Sequence, residues 1–340
     1  MPLRFVRHAT ALLLTIIVLL PARGQHVDIS GLAFGDVYWL AAHDEASLEN
    51  RNGLWFRRVY LTFDVAFDDA WSARLRTEMN SAGDFESDDQ LVPFAKDLYV
   101  RWRGGTHQIY LGLSPTPTWN VVEGFWGYRA VEKTLVDLQR LGSSRDMGVA
   151  VRGRLRDGRL HYHAMIGNGS GTRTETNKGK KAMLGISLHP SDRFVLEVYG
   201  DADDRPGQNN RFTLQGFAGY RTEAGRLGVQ YVYQKREVQN GADIEIRGLS
   251  VFGAARLSER VNAFARFDRM FDSNPDAGRI AYLPFFATGR SNLILAGLDI
   301  AAHDQVHVMP NVEVVVYDET NGDPTPDPTI MPRLTFFFWF

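Results

Sequence analysis

Residues 59–80 read VYLTFDVAFDDAWSARLRTEMN. Val59, Leu61, Phe63, Val65 and Phe67 alternate with Tyr60, Thr62 and Asp64, and Arg58 belongs to the same polar set. After Asp68-Asp69-Ala70 the alternation resumes. Trp71, Ala73, Leu75, Thr77 and Met79 fall on one side, and Arg74, Arg76, Glu78 and Asn80 on the other. Side chains of a strand point to opposite faces in turn, so this is two strands joined by a tight turn, with one apolar and one charged face. A helix would space its apolar residues by three and four.

The same unit recurs along the chain. Leu98, Val100 and Trp102 oppose Asp97, Tyr99, Arg101 and Arg103; Met147, Val149, Val151 and Leu155 oppose Arg152, Arg154 and Arg156. Seven short connections (68–70, 104–105, 157–158, 189–192, 223–225, 258–260, 303–304) alternate with eight long polar ones (41–53, 80–95, 114–145, 168–180, 202–210, 238–243, 272–290, 318–329). That pattern predicts about sixteen strands, short turns on one rim and long loops on the other. This is the layout of an all-β, antiparallel transmembrane barrel of the outer-membrane type. Closure gives every backbone amide in lipid a partner. A soluble sandwich or propeller would not explain the asymmetry between the two sets of connections. Pro310 removes a donor from strand fifteen, and a local bulge is expected there. The last strand places Ile330, Pro332, Leu334, Phe336, Phe338 and Phe340 on one face, with its terminal aromatic at a membrane interface.

The start of the chain reads as an export signal. Arg4, Arg7 and His8 precede the apolar run Ala9–Leu20, Pro21 breaks it, and Ala22-Arg23-Gly24 offers small residues before a cut. The run is too short to span a bilayer. We therefore expect a signal peptide over 1–24 and a barrel over 25–340, located in a bacterial outer membrane among outer-membrane lipid and lipopolysaccharide. Losing Arg4, Arg7 and Arg23 makes the formal charge of −2 more negative by three. There is no cysteine, although an exported chain could form disulfides. No plug domain is expected before the first strand, which argues against an energised transporter.

The longest interruption, 114–145, carries Trp119, Phe125 and Trp126. Between Arg129 and Leu141, Val131, Leu135, Leu138 and Leu141 recur at helical spacing, Gly142 supplies a stop, and Lys133 and Asp137 are four apart, near enough to pair. Too apolar for disorder, this loop is expected to fold into the lumen, and to be the only loop large and apolar enough to do so. Opposite it the early strands direct Arg58, Arg74, Arg76, Arg101, Arg103, Arg152, Arg154 and Arg156 inward, with the acids Asp64, Glu78, Asp97 and Asp146. Glu123, Arg129, Glu132 and Asp137 of the loop complete the candidate constriction. Like charges side by side call for opposing acids or passing anions, so a preference for small anions is expected.

The run Glu123-Gly-Phe-Trp-Gly-Tyr-Arg129, followed by Glu132-Lys133-Thr134, Asp137 and Ser143-Ser144-Arg145-Asp146-Met147-Gly148, resembles the third-loop region of the phosphate-selective porins O and P. The resemblance implies a homotrimeric, sixteen-stranded channel, often anion-selective. No cofactor or nucleic-acid partner is expected. His161 and His163 share a face but lack a third ligand, so a polar wall is favoured over a metal site. The acidic stretches 201–204 and 318–327 lack the spacing of a calcium loop. The rival classes are an outer-membrane lipid or peptide hydrolase, for which no serine–histidine–carboxylate set stands out, and a non-conducting structural barrel.

Overall fold

The computed structural model describes residues 26–118, 120–318 and 325–340. The expected leader and its cleavage point, Trp119, and 319–324 of the last long loop lie outside the described residues. Sixteen antiparallel strands close into one barrel. They are β1 (His26–Trp39), β2 (Asn52–Ala66), β3 (Trp71–Met79), β4 (Phe94–Gly104), β5 (His107–Pro115) and β6 (Arg145–Leu155). Next come β7 (Leu160–Gly167), β8 (Lys181–Ser191), β9 (Phe194–Asp203), β10 (Arg211–Arg221) and β11 (Gly225–Arg236). The set ends with β12 (Ile244–Arg256), β13 (Val261–Met270), β14 (Ser291–His303), β15 (Val306–Tyr317) and β16 (Thr329–Trp339). Each strand pairs with its sequence neighbours, and β1 pairs with β16 to close the seam.

The outward set is apolar and uncovered. Leu111 and Ile166 are more than 60% exposed, and Ile29, Leu98, Val198, Leu214, Leu227 and Leu334 continue the band around the wall. No helix among the described residues is long and apolar enough to cross a membrane. At the seam, Gly31 and Phe340 exchange two backbone hydrogen bonds of 3.0 Å. The Phe340 ring lies on Gly31, where a Cβ would come within 2.3 Å of it.

Register shifts at four places among the described residues; two lie beside the short turns β8–β9 and β14–β15, and the two within the wall have the same result. Phe34 pairs with Arg58 but Gly35 pairs with Phe56, so Arg57 is an extra residue. Arg76 pairs with Asp97 but Thr77 pairs with Ala95, so Lys96 is an extra residue. A bulge leaves one residue out of the ladder and re-aims its side chain. Here each bulge brings two consecutive charged residues into the lumen: Arg57 with Arg58, and Lys96 with Asp97. The expected bulge at Pro310 is not found. Register is unchanged on both sides of it, and the ladder to β14 omits the proline instead.

Among the described residues two loops enter the barrel, not one. The third, 116–144, does so as expected, but its helical part is shorter than its spacing suggested. Only α1 (Asn120–Trp126) and α2 (Leu135–Leu138) are helical, and Arg129–Thr134 is not. The seventh, 271–290, also turns inward. Ile280, Tyr282, Leu283 and Phe285 are buried with Leu40, Trp55, Leu293, Val315, Met331 and Leu138 of the third loop. The Tyr282 hydroxyl donates to the Ser81 carbonyl, and its ring lies over Gly83. Gly83 has φ +71°, and a Cβ there would come within 2.5 Å of the ring.

The seam predicts an assembly defect. Deleting Phe340, or replacing Gly31 with valine, should lower the heat-modifiable folded fraction in membranes severalfold without affecting export. Wild-type levels of folded barrel from both variants would contradict the role given to this contact.

Candidate functional site

The third loop crosses the lumen without sheet partners, so its carbonyls need other donors. Guanidiniums supply them. Arg57 donates to the Val131 carbonyl, Arg266 to the Lys133 carbonyl, and Arg226 to the Trp126 carbonyl at 2.7 Å. Gln234 donates to the Leu141 carbonyl at 2.7 Å, and the Trp126 indole to that of Glu132 at 3.0 Å. A second Arg57 nitrogen donates to both oxygens of the Glu132 carboxylate, at 2.7 and 2.8 Å. Arg333 lies 3.5 Å from the same carboxylate and 2.8 Å from Glu313, and donates to the Tyr282 carbonyl at 2.8 Å. One fully buried network thus fixes both inward loops to β1, β2, β15 and β16. Around it Phe34, Phe125, Trp126, Tyr128, Phe252 and Phe264 form an apolar layer between the third loop and the wall.

That packing fills one part of the lumen and leaves space elsewhere. A cavity of about 410 Å³ opens on the long-loop side, lined among others by Lys133, Asp137, Arg140, Ser144, Arg211 and Asp276. A second, of about 350 Å³, is lined by Tyr60, Arg76, Lys96, Glu123, Arg129 and Arg145. Asp137 and Ser144 line both. We refer to this shared point as the eyelet.

The charges around it are paired unevenly. Arg129 sits between Glu123 at 3.1 Å and Asp137 at 3.7 Å, so the partner of Asp137 is Arg129 and not Lys133. Glu78 is shared by Arg58 at 2.7 Å and Lys96 at 2.8 Å. Asp97 is shared by Arg145 and, at 3.5 Å, Arg76. Among these paired groups and Lys133, six cations face four carboxylates; Asp299 also lines the second cavity. Burial is the largest influence on Lys133; Asp137 opposes it, Arg58 and Arg129 add to it, and the ammonium is pulled down to about 8.

The residues singled out from sequence divide into three groups. Arg58, Arg76, Glu123, Arg129 and Asp137 meet at the eyelet, while Arg74 is held nearby by Asp64 at 2.7 Å. Arg101 donates to Ser72 at 3.0 Å, and Arg152 stacks 4.8 Å over Tyr110 and donates to the Pro115 carbonyl at the root of the third loop. Arg103, Arg154 and Arg156 are exposed on the short-turn rim. Glu132 is fully buried in the loop-fixing network, away from both cavities. Sequence reasoning missed Arg57, Lys96, Arg226, Arg266 and Arg333. For the first two a signal existed, because the outward residues Phe56 and Val59, and Ala95 and Leu98, are three apart instead of two.

No family model matches the chain, and no curated protein does. Solved structures with the same fold do. An anion-selective porin from Comamonas acidovorans superimposes with a TM-score of 0.67 at 12% identity, covering 93% of this chain and 100% of that one. The outer membrane protein OmpT of Vibrio cholerae, in trimer form, gives 0.63 at 12% identity with coverages of 93% and 99%. The outer membrane channel DcaP of Acinetobacter baumannii gives 0.65 at 10% identity with 94% and 98%. The fold is that of the sixteen-stranded outer-membrane porins.

The anchoring network carries a prediction. Burial alone would raise the Glu132 carboxyl, but Arg57 and Arg333 hold it well below the usual carboxylate range. A depressed carboxyl contributes its stabilisation above its unfolded value, near 4.3, and loses it only as pH falls from there towards the folded value. The third loop should therefore stay protected from hydrogen exchange at pH 5. Glu132→Ala leaves two buried guanidiniums short of a partner, a loss of about 3–5 kcal/mol, and should expose residues 120–140 at any pH. Unchanged protection in the variant would contradict the anchoring role.

Proposed function

We propose that this chain is an outer-membrane porin whose eyelet passes small hydrophilic solutes and favours anions. The observation carrying this reading is the surplus of two cations over carboxylates among Lys133 and the ion-paired groups next to the point shared by the two cavities. A narrow passage with low-dielectric walls weakens screening, so a small surplus acts more strongly there than on an open surface. The cations are held by shared carboxylates, which keeps them in place without cancelling them. Phosphate, suggested by the third-loop resemblance, is one member of the anion class this passage would admit. Conduction requires that the solute leave as readily as it enters, and Asp137 and Glu123 beside Arg129 limit how tightly an anion is held.

The remaining parts of the reading follow from this setting. Residues 1–24 act as a cleaved export signal, the apolar band faces outer-membrane lipid and lipopolysaccharide, and three copies assemble, as in the trimer form of the Vibrio protein. We read the barrel as a channel and not an enzyme; hydrolysis of lipid or peptide by a non-conducting barrel would overturn this.

Reversal potentials in asymmetric salt provide the test. The wild type should favour chloride over potassium. Arg76→Gln with Lys96→Gln should shift the reversal potential towards cations with the fold intact, because lumen substitutions tune selectivity while the lipid face sets stability. Because Lys133 gives up its proton at about 8, anion preference should fall between pH 7 and 9, and Lys133→Met should flatten that dependence. Selectivity indifferent to all three changes would mean the eyelet charges are wall structure only.

A further inference from the structure

The six lysines, Lys96, Lys133, Lys178, Lys180, Lys181 and Lys235, all lie at the eyelet or on the long-loop half of the barrel. On the opposite rim, which has no lysine, the cationic side chains are arginines concentrated at three of the seven turns, while Asp68, Asp69, Glu223 and Asp304 stand at others. Arg154, Arg156 and Arg159 stand at the β6–β7 turn, Arg193 at β8–β9, and Arg256 and Arg260 at β12–β13. All six are exposed, and among the described residues none has a carboxylate within 4 Å. The same turns carry only Asp157, Asp192 and Glu259. On the long-loop rim Arg205, Arg236, Arg247 and Arg269 each hold an aspartate, while Arg51, Arg140, Arg173 and Arg211 have none within 4 Å among the described residues.

Unpaired arginines repel one another, so the arrangement suits something negative that lies across them. Its extent limits what that can be. From β6 to β13 is seven strand steps, about 34 Å along the rim. A small anion in transit meets one or two of these side chains at a time. Lipid headgroups are excluded by direction: Arg154 and Arg256 line cavities on the lumen side beneath α1, facing away from the bilayer. Guanidinium, unlike ammonium, grips a carboxylate with two parallel bonds.

We propose that the short-turn mouth is a docking surface for an acidic polypeptide, a carboxylate-rich segment of a periplasmic protein that seats across the channel exit. This needs the barrel to stand with its short turns inward, the usual arrangement. It does not depend on the anion preference, which is read separately from current.

The test uses the full barrel in uncharged detergent and a fluorescent ten-residue polyglutamate peptide, with binding read by anisotropy. Arg154→Gln/Arg193→Gln/Arg256→Gln should weaken binding about tenfold or more, and added salt should weaken wild-type binding steeply. Arg173→Gln/Lys178→Gln/Lys180→Gln removes the same charge from a long loop and should leave affinity within about twofold. If the rim triple variant does not fold, the single turn substitution Arg193→Glu serves in its place and should likewise weaken binding. Absent wild-type binding, or equal loss in both triple variants, would overturn the proposal. So would displacement of the peptide by inorganic phosphate, at matched charge, as readily as by unlabelled polyglutamate; the rim would then be a station for small anions.

Discussion

A loop inside a barrel has backbone carbonyls that neither the sheet nor bulk water can serve. The rest of this structure depends on how that requirement is met. Arg57, Arg226 and Arg266 reach the carbonyls of Val131, Trp126 and Lys133 from three separate strands, and Arg333 ties the seventh loop to the same place. Arginine suits the task because one side chain offers five donors and keeps its charge when buried. That charge would be costly alone, and Glu132, Glu313 and Asp268 offset it. The third loop is thereby held in place across the lumen, and open space remains beside it at the eyelet and beneath α1.

Arginines in this lumen therefore do two different jobs. Those pointing at loop carbonyls are held by the protein, Arg57, Arg266 and Arg333 buried and Arg226 half-buried. Those at the eyelet share carboxylates, one acid between two cations at Glu78 and at Asp97. Counting inward arginines from sequence merges the two groups and overstates the field a solute would meet. Position along the strand separates them, together with whether a loop lies within reach.

Much of the fold was legible because alternation is a local signal and turn length a simple one. Val59 to Phe67 and Trp71 to Met79 already define a hairpin with one lipid-facing and one water-facing side. The inward third loop was legible from its aromatic content. The bulges were not read, since a strict period of two treats Arg57 and Lys96 as outward residues. Yet the three-residue steps from Phe56 to Val59 and from Ala95 to Leu98 record both. The seventh loop was missed although Ile280, Tyr282, Leu283, Phe285 and Phe286 make it apolar enough to bury. The helical period over 129–141 was real as a pattern but served packing, because Val131 and Leu135 point into different apolar clusters. Which acid faces which cation depends on the loop's path, and a linear sequence carries no trace of that.

The central claim is that solutes pass the eyelet, where the two cavities meet at Asp137 and Ser144. The chain has no cysteine, so single cysteines can be placed without interference. Ser144 lines both cavities, whereas Val122 is fully buried in the apolar layer behind the loop. The most direct measurement is single-channel current during treatment with a bulky charged thiol reagent. For Ser144→Cys the account predicts rapid modification and loss of most of the current, and for Val122→Cys neither. Full current through modified Ser144→Cys channels, or block through Val122→Cys, would place the pathway elsewhere and contradict it.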